Sequence, residues 1–372
     1  MKGRLRIACF LSTSGHSGVD RAMQHLIPAL AGRGYRVDLL HVRRHGPYLK
    51  DPPPGVRVVD LGTRSTYPSL LPLIRYLRRE RPAVLLADKD RVNRTALLGR
   101  RLSGARPRLV LSSGTTISID LAHRGAFERW LQRNSMGRLY RFADQVIVTS
   151  RGVADDMAAY TGLARGLIRV VPSPVVPDPL FHTTPPRPAH PWFQAGQPPV
   201  ILGVGELAMR KDFPTLIRAF ARVRAERPCR LVILGEGGQR AELQALAAGL
   251  GVGEDLALPG YQSNPYAFMA HAALFAFTSL WEGLGFVLIE ALAMGTPVVS
   301  VDCPSGPREI LQDGEYGPLV AVADDLALSR AIRETLDHPL PGGRLREAAR
   351  PYGVEASTSA YLQAFGLPEL CP

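Results

Sequence analysis

The chain has 372 residues, 46% of them hydrophobic and 21% charged, which is the composition of a soluble globular protein long enough for two domains. Its four cysteines lie far apart and lack the spacing of a metal site or a disulfide framework, so we expect free thiols in a reducing compartment. No uncharged apolar stretch reaches the roughly 18 residues that a transmembrane helix needs, and no hydrophobic signal segment is apparent. We therefore expect a cytoplasmic protein that spans no membrane.

The net charge of +12 is divided unevenly along the chain. Residues 1–172 contain 30 Lys and Arg against 12 Asp and Glu, whereas residues 173–372 contain 15 against 21. A strongly basic half indicates an anionic partner, such as a membrane surface, a nucleic acid or a phosphorylated substrate. The alternative is a generally arginine-rich composition that has no bearing on function.

The first half of the chain alternates short β-rich runs with helical patterns. A strand at 5–12 precedes a helix at 18–34, in which apolar residues recur at helical spacing until a glycine ends it. Further strands are predicted, in chain order, at 35–42, 56–61, 83–88, 108–113 and 145–150. Strands that alternate with helices predict a parallel α/β sheet.

A proline-rich stretch without periodicity separates this half from the next. We place the linker at 176–198, between an N-terminal domain at 1–175 and a C-terminal domain at 199–350. A second alternating series follows, with strands predicted at 200–205, 230–237, 274–279 and 296–302 and helices at 213–226, 240–251 and 285–295. The end of the chain, 351–372, is expected to contain a last helix that packs back toward the N-terminal domain.

The predicted fold is therefore α/β, with two doubly wound Rossmann-like domains. In open sheets of this type, ligands bind beyond the carboxyl ends of the strands. With two such domains, the expected site is the cleft between them.

The stretch SLWEGLGFVLIEALAMGTPVVS, at 279–300, is almost entirely apolar but contains Glu282 and Glu290. Glycines exclude a helix before Phe286, so Glu282 falls in the preceding loop and Glu290 in the helix itself. The helix start between them favours an anion, and carboxylates on either side suit the hydroxyl groups of an extended ligand. The alternative is that both glutamates are simply paired with nearby arginines.

A second pattern, GELAMRKD at 205–212, presents Arg210 and Lys211 directly before a helix. A helix start disfavours cations, so this adjacent pair predicts a phosphate clamp rather than a solvated basic pair. The next strand ends in a glycine-rich turn, LGEGG at 234–238, which is a weaker candidate for the lining of a nucleotide pocket.

The motif EGLGFVLIE, which contains both glutamates, resembles the paired-glutamate signature of the family 4 retaining glycosyltransferases, which have the GT-B fold. The similarity is dense over 200–320 and thinner in the first half, where SGHSGVDR resembles the family's first glycine loop. The resemblance implies a hexosyltransferase. Its donor would be a nucleotide-diphosphate sugar, with UDP as the expected carrier, and the transferred sugar a hexose or an N-acetylhexosamine. Its acceptor would be a glycan, free or linked to polyprenyl diphosphate, in polysaccharide or lipopolysaccharide synthesis.

The resemblance also implies roles for individual residues. Glu282 would bind hydroxyls of the donor sugar, Glu290 would bind the ribose, and Arg210 with Lys211 would neutralise the diphosphate. His123 would lie near the transferred sugar, although a lone histidine is more often structural. The remaining donor-binding positions are Gly18, Glu236, Tyr261, Gly283, Leu284, Gly285 and Phe286. Because cations and a helix start stabilise the leaving group, no metal or cofactor is expected, and retention requires no protein nucleophile.

Acceptor contacts are predicted more weakly, at Arg21 in the first glycine loop and at Lys89 and Arg91 after a strand. A plain turn and a solvated face are the alternatives for these positions. The expected partners are the nucleotide-sugar donor, the glycan or lipid-linked acceptor and, through the basic half, the anionic inner face of the plasma membrane. No nucleic-acid motif is present, so no nucleic acid is expected.

Two positions depart from the family pattern. Glu206 stands where arginine is common, and Asp212 stands where glycine is common. One diphosphate contact is then missing, or Arg21 or Arg308 supplies it. The competing functions are a nucleotide-sugar epimerase or hydrolase on the same fold, and a basic nucleic-acid-binding protein.

Overall fold

The structure, a computed structural model, describes residues 5–15, 17–122 and 124–370. It divides into two compact units. Unit 1 consists of Met1–Val175 together with Tyr352–Pro372, and unit 2 consists of Val176–Pro351. The proline-rich stretch at 176–198 belongs to unit 2 and contains two single-turn 3₁₀ helices, Asp178–Phe181 and Pro191–Phe193.

Unit 1 contains a seven-stranded parallel sheet with the order β3-β2-β1-β4-β5-β6-β7. Its strands are β1 (Arg6–Leu11), β2 (Arg36–His41), β3 (Val56–Asp60), β4 (Val84–Asp88), β5 (Arg108–Ser113), β6 (Gln145–Val148) and β7 (Ile168–Val170). The central strands are buried along nearly their whole length, as expected for a parallel sheet that helices cover on both faces. The strand order reverses between β1 and β4, so the loops that follow these two strands are neighbours at the carboxyl edge.

Six helices of unit 1 precede unit 2 within the described ranges. They are α1 (Gly18–Gly32), α2 (Leu70–Glu80), α3 (Asp90–Ser103), α4 (Ile117–Asp120), α5 (Ala126–Leu139) and α6 (Arg151–Thr161). Helix α1 begins with a capping box, in which the Ser17 hydroxyl accepts from the Asp20 backbone N–H and the Asp20 carboxylate accepts from the Ser17 N–H. This cap fixes the direction in which the chain leaves β1.

Unit 2 contains a six-stranded parallel sheet with the order β10-β9-β8-β11-β12-β13. Its strands are β8 (Val200–Val204), β9 (Arg230–Leu234), β10 (Leu256–Gly260), β11 (Leu274–Phe277), β12 (Val298–Val301) and β13 (Leu319–Val320). Here the order reverses between β8 and β11, which makes the loops after these two strands neighbours.

The helices of unit 2 are α7 (Phe213–Glu226), α8 (Arg240–Gly249), α9 (Pro265–His271), α10 (Phe286–Ala293), α11 (Pro307–Ile310), α12 (Asp325–Asp337) and α13 (Gly342–Ala349). Helix α10 is apolar on nearly every face, and six of its eight residues are buried. It therefore lies inside unit 2, with only its first residues partly exposed.

A last helix, α14 (Val354–Phe365), packs within unit 1. The Val175 N–H donates to the Tyr352 carbonyl at 2.9 Å, where the chain returns from unit 2. Arg33, the C-cap residue of helix α1, pairs with Glu355 at 2.6 Å. The helix ends at Gly366, whose φ of +61° is left-handed and favours glycine.

The predicted α/β class, with two doubly wound Rossmann-like domains, is confirmed. The described helices include none that is long and apolar enough to cross a membrane. Cys9, Cys229 and Cys303 are buried free thiols, and burial raises the pKa of Cys229 to about 11 and that of the other two to about 12. Cys371 lies outside the described residues.

Candidate active site

The predicted clamp cations and the first predicted glutamate meet at the reversal point of the unit 2 sheet. Arg210 and Lys211 lie in the loop after β8, and Glu282 lies in the loop after β11. One guanidinium nitrogen of Arg210 is 2.7 Å from Glu282 Oε2, and the Lys211 Nζ is 2.6 Å from Glu282 Oε1. The side chains of Lys211 and Glu282 are only 11% and 12% exposed. A carboxylate is thus bridged by two cations in a nearly closed setting.

The environment of Glu282 keeps its carboxylate ionised. Burial on its own would raise the pKa of Glu282, but the charges of Lys211 and Arg210 outweigh it and hold that pKa below the ordinary value. The Ser279 hydroxyl also donates to Glu282 Oε1 at 2.9 Å. The Lys211 Nζ lies 5.7 Å from the centroid of the Phe277 ring, so the cation also faces an aromatic surface.

Glycines let the clamp loop lie against its neighbours. A Cβ on Gly205 would lie 3.0 Å from the Lys211 Cε, so the lysine side chain passes directly over this glycine. Gly235 has a φ of +136°, and a Cβ there would lie 1.9 Å from the Gly205 carbonyl oxygen. The Leu207 N–H donates to the Glu236 carbonyl at 2.9 Å. The glycine-rich turn after β9 therefore supports the loop that carries Arg210 and Lys211.

The start of helix α10 is shaped by two further glycines. Gly285 is the N-cap residue, with a φ of +94°, and a Cβ there would lie 3.2 Å from the Phe277 ring. A Cβ on Gly306 would lie 2.0 Å from the Leu284 carbonyl oxygen, so the loop before α11 closes over this segment. The Leu284 side chain is buried, whereas Gly283 and Phe286 are partly exposed. The helix start can therefore offer backbone N–H groups to an anion.

Glu290 occupies the second turn of α10 and is 1% exposed. The Tyr266 hydroxyl, from helix α9, lies 3.4 Å from Glu290 Oε1. A carboxylate this deeply buried contacts neighbouring side chains of unit 2, and the role of Glu290 toward a ribose stays a prediction. The sequence correctly divided the pair, with Glu282 in the loop and Glu290 in the helix.

The other donor-side predictions in unit 2 lie in the loops after β9 and β10. Glu236 is exposed and pairs with Arg240 at 2.9 Å, and Tyr261 is 76% exposed. A Cβ on Gly260 would lie 2.6 Å from Glu236 Oε1, so this carboxylate leans against the end of β10. Their roles toward a donor stay predictions.

The two departures from the family pattern have different structural settings. Asp212 has a φ of +47°, the left-handed region in which glycine is at ease and which aspartate tolerates better than most residues. Glu206 is exposed, and the carboxylate that contacts the clamp cations is that of Glu282. Arg308, considered as a substitute cation, pairs with Asp302 and with Asp313, the latter at 3.1 Å.

In unit 1, the loop after β1 is closed by packing around Asp20. This residue is 1% exposed, accepts from the Thr13 hydroxyl and forms the cap of helix α1, whose first residue is Gly18. A Cβ on Gly46 would lie 2.4 Å from Asp20 Oδ1, so a second loop covers the carboxylate. Arg21 follows within the first turn and is partly exposed.

Lys89 and Arg91 lie after β4, which neighbours β1 at the reversal point of the unit 1 sheet. Both side chains are exposed, and Lys89 has φ +74° and ψ 145°, a strained conformation for a residue other than glycine. The preceding residue, Asp88, is buried, and burial raises its pKa. The structure thus brings Lys89 and Arg91 together at this edge. His123 lies outside the described residues.

Two residues beside them are turned inward. The Asn93 amide donates to the Ser112 carbonyl at 3.0 Å, and Arg94 pairs with Asp90 of its own helix. Asn93 therefore stabilises helix α3 against β5, the Arg94 pair lies within α3, and the exposed basic residues here are Lys89 and Arg91.

Sequence reasoning missed three residues that shape the site. Ser279 holds Glu282, Tyr266 faces Glu290, and Gly306 allows the close approach to Leu284. Ser279 was the easiest of the three to predict, since it precedes Glu282 by only three residues in the same loop. In the parts of the chain that the structure describes, no group of three or more His, Cys, Asp or Glu side chains is arranged to hold a metal ion.

Comparisons with known proteins cover nearly the whole chain. Residues 17–174 match the family model described as glycosyl transferase 4-like domain, and residues 190–354 match the one described as glycosyl transferases group 1. A Campylobacter jejuni protein is 29% identical over 364 residues, which is 95% of this chain and 94% of its own. It is named N-acetylgalactosamine-N,N'-diacetylbacillosaminyl-diphospho-undecaprenol 4-alpha-N-acetylgalactosaminyltransferase. The lipopolysaccharide core biosynthesis glycosyltransferase LpsE of Rhizobium meliloti is 36% identical over 170 residues, 44% of this chain and 49% of its own.

Solved structures with low sequence identity share the fold. The apo form of the lipopolysaccharide outer core galactosyltransferase WaaB superposes with a TM-score of 0.76 at 18% identity, covering 97% of this chain and 99% of its own. Anabaena HepE in complex with UDP and glucose gives a TM-score of 0.79 at 18% identity, covering 98% of this chain and 100% of its own.

Proposed function

The chain belongs to the glycosyltransferases that these two family models describe and is an enzyme with the GT-B fold, and from this premise we propose its reaction. It transfers a hexose or an N-acetylhexosamine from a nucleotide-diphosphate sugar, with UDP as the nucleotide and with retention of configuration at the anomeric carbon. The acceptor is a glycan, free or linked to polyprenyl diphosphate, in the synthesis of lipopolysaccharide or another surface polysaccharide.

The observation that carries this proposal is the bridge of Glu282 to Arg210 and Lys211 at the reversal point of the unit 2 sheet. Two cations lie 2.6–2.7 Å from one carboxylate, which supports a role for them in binding a pair of phosphate groups. When the donor binds, its diphosphate pairs with Arg210 and Lys211 in place of Glu282. The Glu282 carboxylate then accepts hydrogen bonds from hydroxyl groups of the sugar. The departing nucleoside diphosphate is then stabilised by fixed charge where negative charge develops.

The remaining donor contacts follow from the same arrangement. The start of α10, opened by Gly283 and capped by Gly285, meets the sugar or the phosphates through backbone N–H groups. Glu290, further along the helix, binds the ribose hydroxyls. Since Arg210, Lys211 and the helix start supply the positive charge, we propose that the reaction needs no metal ion.

The identity of donor and acceptor rests on the relatives. The Campylobacter protein that matches nearly the full chain acts on a diphospho-undecaprenol-linked sugar by its name, which supports a lipid-linked acceptor here. HepE has been solved with UDP and glucose, which supports a UDP-sugar donor. The basic first half, with Lys89 and Arg91 at the carboxyl edge of its sheet, is proposed to face the acceptor phosphates and an anionic membrane.

The first experiment is a thermal-shift screen with UDP, GDP and ADP and their sugars, because a nucleotide that binds the folded enzyme raises its melting temperature by mass action. We expect the largest shift with UDP-sugars. The hit is then incubated with polyprenyl-diphosphate-linked sugars, with and without EDTA, and the anomeric configuration of the product is read by NMR.

The same assay separates the alternatives. Formation of a glycoside with the donor's anomeric configuration, unaffected by EDTA, is the expected outcome. Rapid formation of an epimeric nucleotide sugar or free sugar without any acceptor would instead identify an epimerase or a hydrolase. An inverted product would contradict the retaining mechanism and leave the transferase assignment intact.

A further inference from the structure

Exposed apolar side chains are concentrated in one part of unit 1. Among the residues that the structure describes, sixteen large hydrophobic side chains are exposed, and twelve of them belong to unit 1. Nine of the twelve fall between Tyr67 and Phe142. They are Tyr67, Leu71, Leu98, Leu102, Phe127, Trp130, Leu131, Leu139 and Phe142. Single exposed hydrophobic residues need no explanation, whereas exposed hydrophobic residues that lie together mark an interaction site.

Helix α5 carries four of these nine side chains, among them Phe127, the most exposed of the nine. Phe127 is 74% exposed, Trp130 57% and Leu131 44%, and their spacing places them on one stripe of the helix. The rings of Phe127 and Trp130 stack, with centroids 6.1 Å apart. Met136 is the one residue of α5 that is fully buried. Packing within unit 1 therefore does not account for the apolar stripe.

Four of the nine exposed side chains, Tyr67, Leu98, Leu139 and Phe142, line a groove of about 1140 Å³. Leu97 and Leu98 of α3 line one part of it, and Leu139 and Phe142 at the end of α5 line another. The charged residues that line the groove are mostly basic, since Asp144 is the single acidic one. The basic residues of the lining are Arg94, Arg100, Arg101, Arg106 and Arg108, of which Arg94 is paired with Asp90 and Arg100 with Asp144.

The charge of this region identifies the kind of partner. Residues 89–142 contain twelve Lys and Arg against three Asp and Glu. An anionic partner with an apolar interior satisfies both the arginines and the stripe, because arginine stems lie along apolar surface while their heads reach phosphate. A nucleic-acid backbone would satisfy the arginines and leave Phe127, Trp130 and Leu131 in water.

We infer that the surface formed by α3, α5 and the groove between them is a docking face for an anionic lipid bilayer. The α5 stripe enters the headgroup region, and the surrounding arginines bind lipid phosphates. This inference rests on the proposed membrane contact and adds the face that makes it. The nucleotide-sugar site of unit 2 has no part in it.

The test measures binding of the full chain to vesicles by co-sedimentation. One set of vesicles contains phosphatidylglycerol in phosphatidylcholine, and the other contains phosphatidylcholine alone. We expect the variant Phe127→Ser/Trp130→Ser/Leu131→Ser to bind anionic vesicles at least about tenfold more weakly, because each side chain loses most of its apolar burial. The matched control, Leu250→Ser/Leu326→Ser, makes the same change at exposed positions of unit 2 and should bind like the wild type.

The charge contribution is tested separately. Arg129→Gln/Arg133→Gln should lower the affinity by roughly fivefold for each arginine at low salt and by less at high salt. The control, Arg330→Gln/Arg350→Gln, removes two exposed arginines of unit 2 and should have little effect. A blue shift of tryptophan fluorescence on vesicle binding should disappear in Trp130→Phe.

Several outcomes would overturn the inference. These are unchanged binding of the triple serine variant, equal binding to neutral vesicles at high salt, and binding to duplex DNA in preference to vesicles. Circular dichroism and the nucleotide-induced thermal shift check that each variant is folded. If transfer to a soluble acceptor fails while the vesicle pattern holds, the proposed function is wrong and the docking face stands. If transfer proceeds and no vesicles bind, the docking face alone is wrong.

Discussion

The two sheets reverse their strand order in the same way, between β1 and β4 in unit 1 and between β8 and β11 in unit 2, yet they place different chemistry there. At the unit 2 reversal point, Arg210 and Lys211 bridge a nearly buried Glu282. At the unit 1 reversal point, the buried carboxylate of Asp20 is used as a helix cap, and Lys89 is exposed. Topology thus determines where a ligand can bind, and the loop side chains determine which ligand.

The comparison predicts its largest effect at Lys211. Lys211→Ala removes one of the two cations proposed to face the leaving diphosphate, so we expect kcat to fall by roughly 10²–10³-fold with the fold intact. Lys89→Ala changes the same residue type at the other reversal point and should chiefly raise the KM for the acceptor. Steady-state kinetics with both substrates distinguish the two. A near-normal kcat for Lys211→Ala would refute the clamp.

The loop contacts predict a large effect on stability in unit 2 and a smaller one in unit 1. Gly235→Ala puts a Cβ 1.9 Å from a backbone oxygen at a φ of +136°, so we expect a loss of roughly 3 kcal/mol or more in the free energy of unfolding. Gly15→Ala also has a positive φ, but its Cβ meets the movable Tyr48 ring and should cost about 1–3 kcal/mol. Urea unfolding compares them. Equal losses would contradict the difference between a backbone neighbour at Gly235 and a movable side chain at Gly15.

The free energy of unfolding should depend on pH with opposite signs at two carboxyl groups, Glu282 of unit 2 and Asp88 of unit 1. Glu282 has a lowered pKa in the folded protein, so its ionised form stabilises the fold above its ordinary pKa of 4.5. That contribution is lost as the pH falls from 4.5 through the lowered value. We expect Glu282→Gln to be less stable than the wild type by about 1–3 kcal/mol at pH 7, with the difference shrinking on acidification. A difference that does not change with pH would contradict the pairing with Lys211 and Arg210.

Asp88 of unit 1 should show the opposite dependence. Burial raises the pKa of Asp88 above the ordinary 3.8. The stability that its protonated form contributes to the fold is therefore fully present below pH 3.8 and is lost as the pH rises through the raised pKa. Asp88→Asn cannot ionise and should therefore gain stability relative to the wild type as the pH rises through that window. Chemical unfolding of both proteins at several pH values measures this, and a relative gain on acidification would show the sign to be wrong.

The smallest predicted effect concerns the backbone of Lys89. Its φ of +74° suits glycine, so Lys89→Gly should relieve strain and raise the free energy of unfolding by up to about 1 kcal/mol. Arg91→Gly, two residues later inside helix α3, should lower it by about the same amount. Thermal unfolding of the two variants checks this, and a loss of stability in Lys89→Gly would exclude the strain.

The sequence predicted the fold because parallel strands are continuous apolar runs with glycine-rich ends. It predicted none of β7, β10 and β13, which have two to five residues and are mostly half-exposed, so their apolar signal is weak. The glycines around Phe286 correctly placed the start of α10. The bridge between Lys211 and Glu282 joins residues 71 apart, and only the strand order brings them together. The docking face depends on which apolar residues stay exposed, which sequence periodicity does not indicate.

The bridge across Arg210, Lys211 and Glu282 also bears on how the enzyme would sort its ligands. A small anion that entered this site would gain two cations and leave the carboxylate of Glu282 without its counter-charges. In the proposed mechanism a nucleotide sugar would replace both partners at once, since its phosphates would pair with the cations and its hydroxyls would donate to the carboxylate. After transfer the sugar is gone, and the carboxylate returns to the cations in competition with the spent nucleotide. Glu282 would then compete with the spent nucleotide for Arg210 and Lys211. This competition would favour binding of the intact donor and speed release of the nucleotide product.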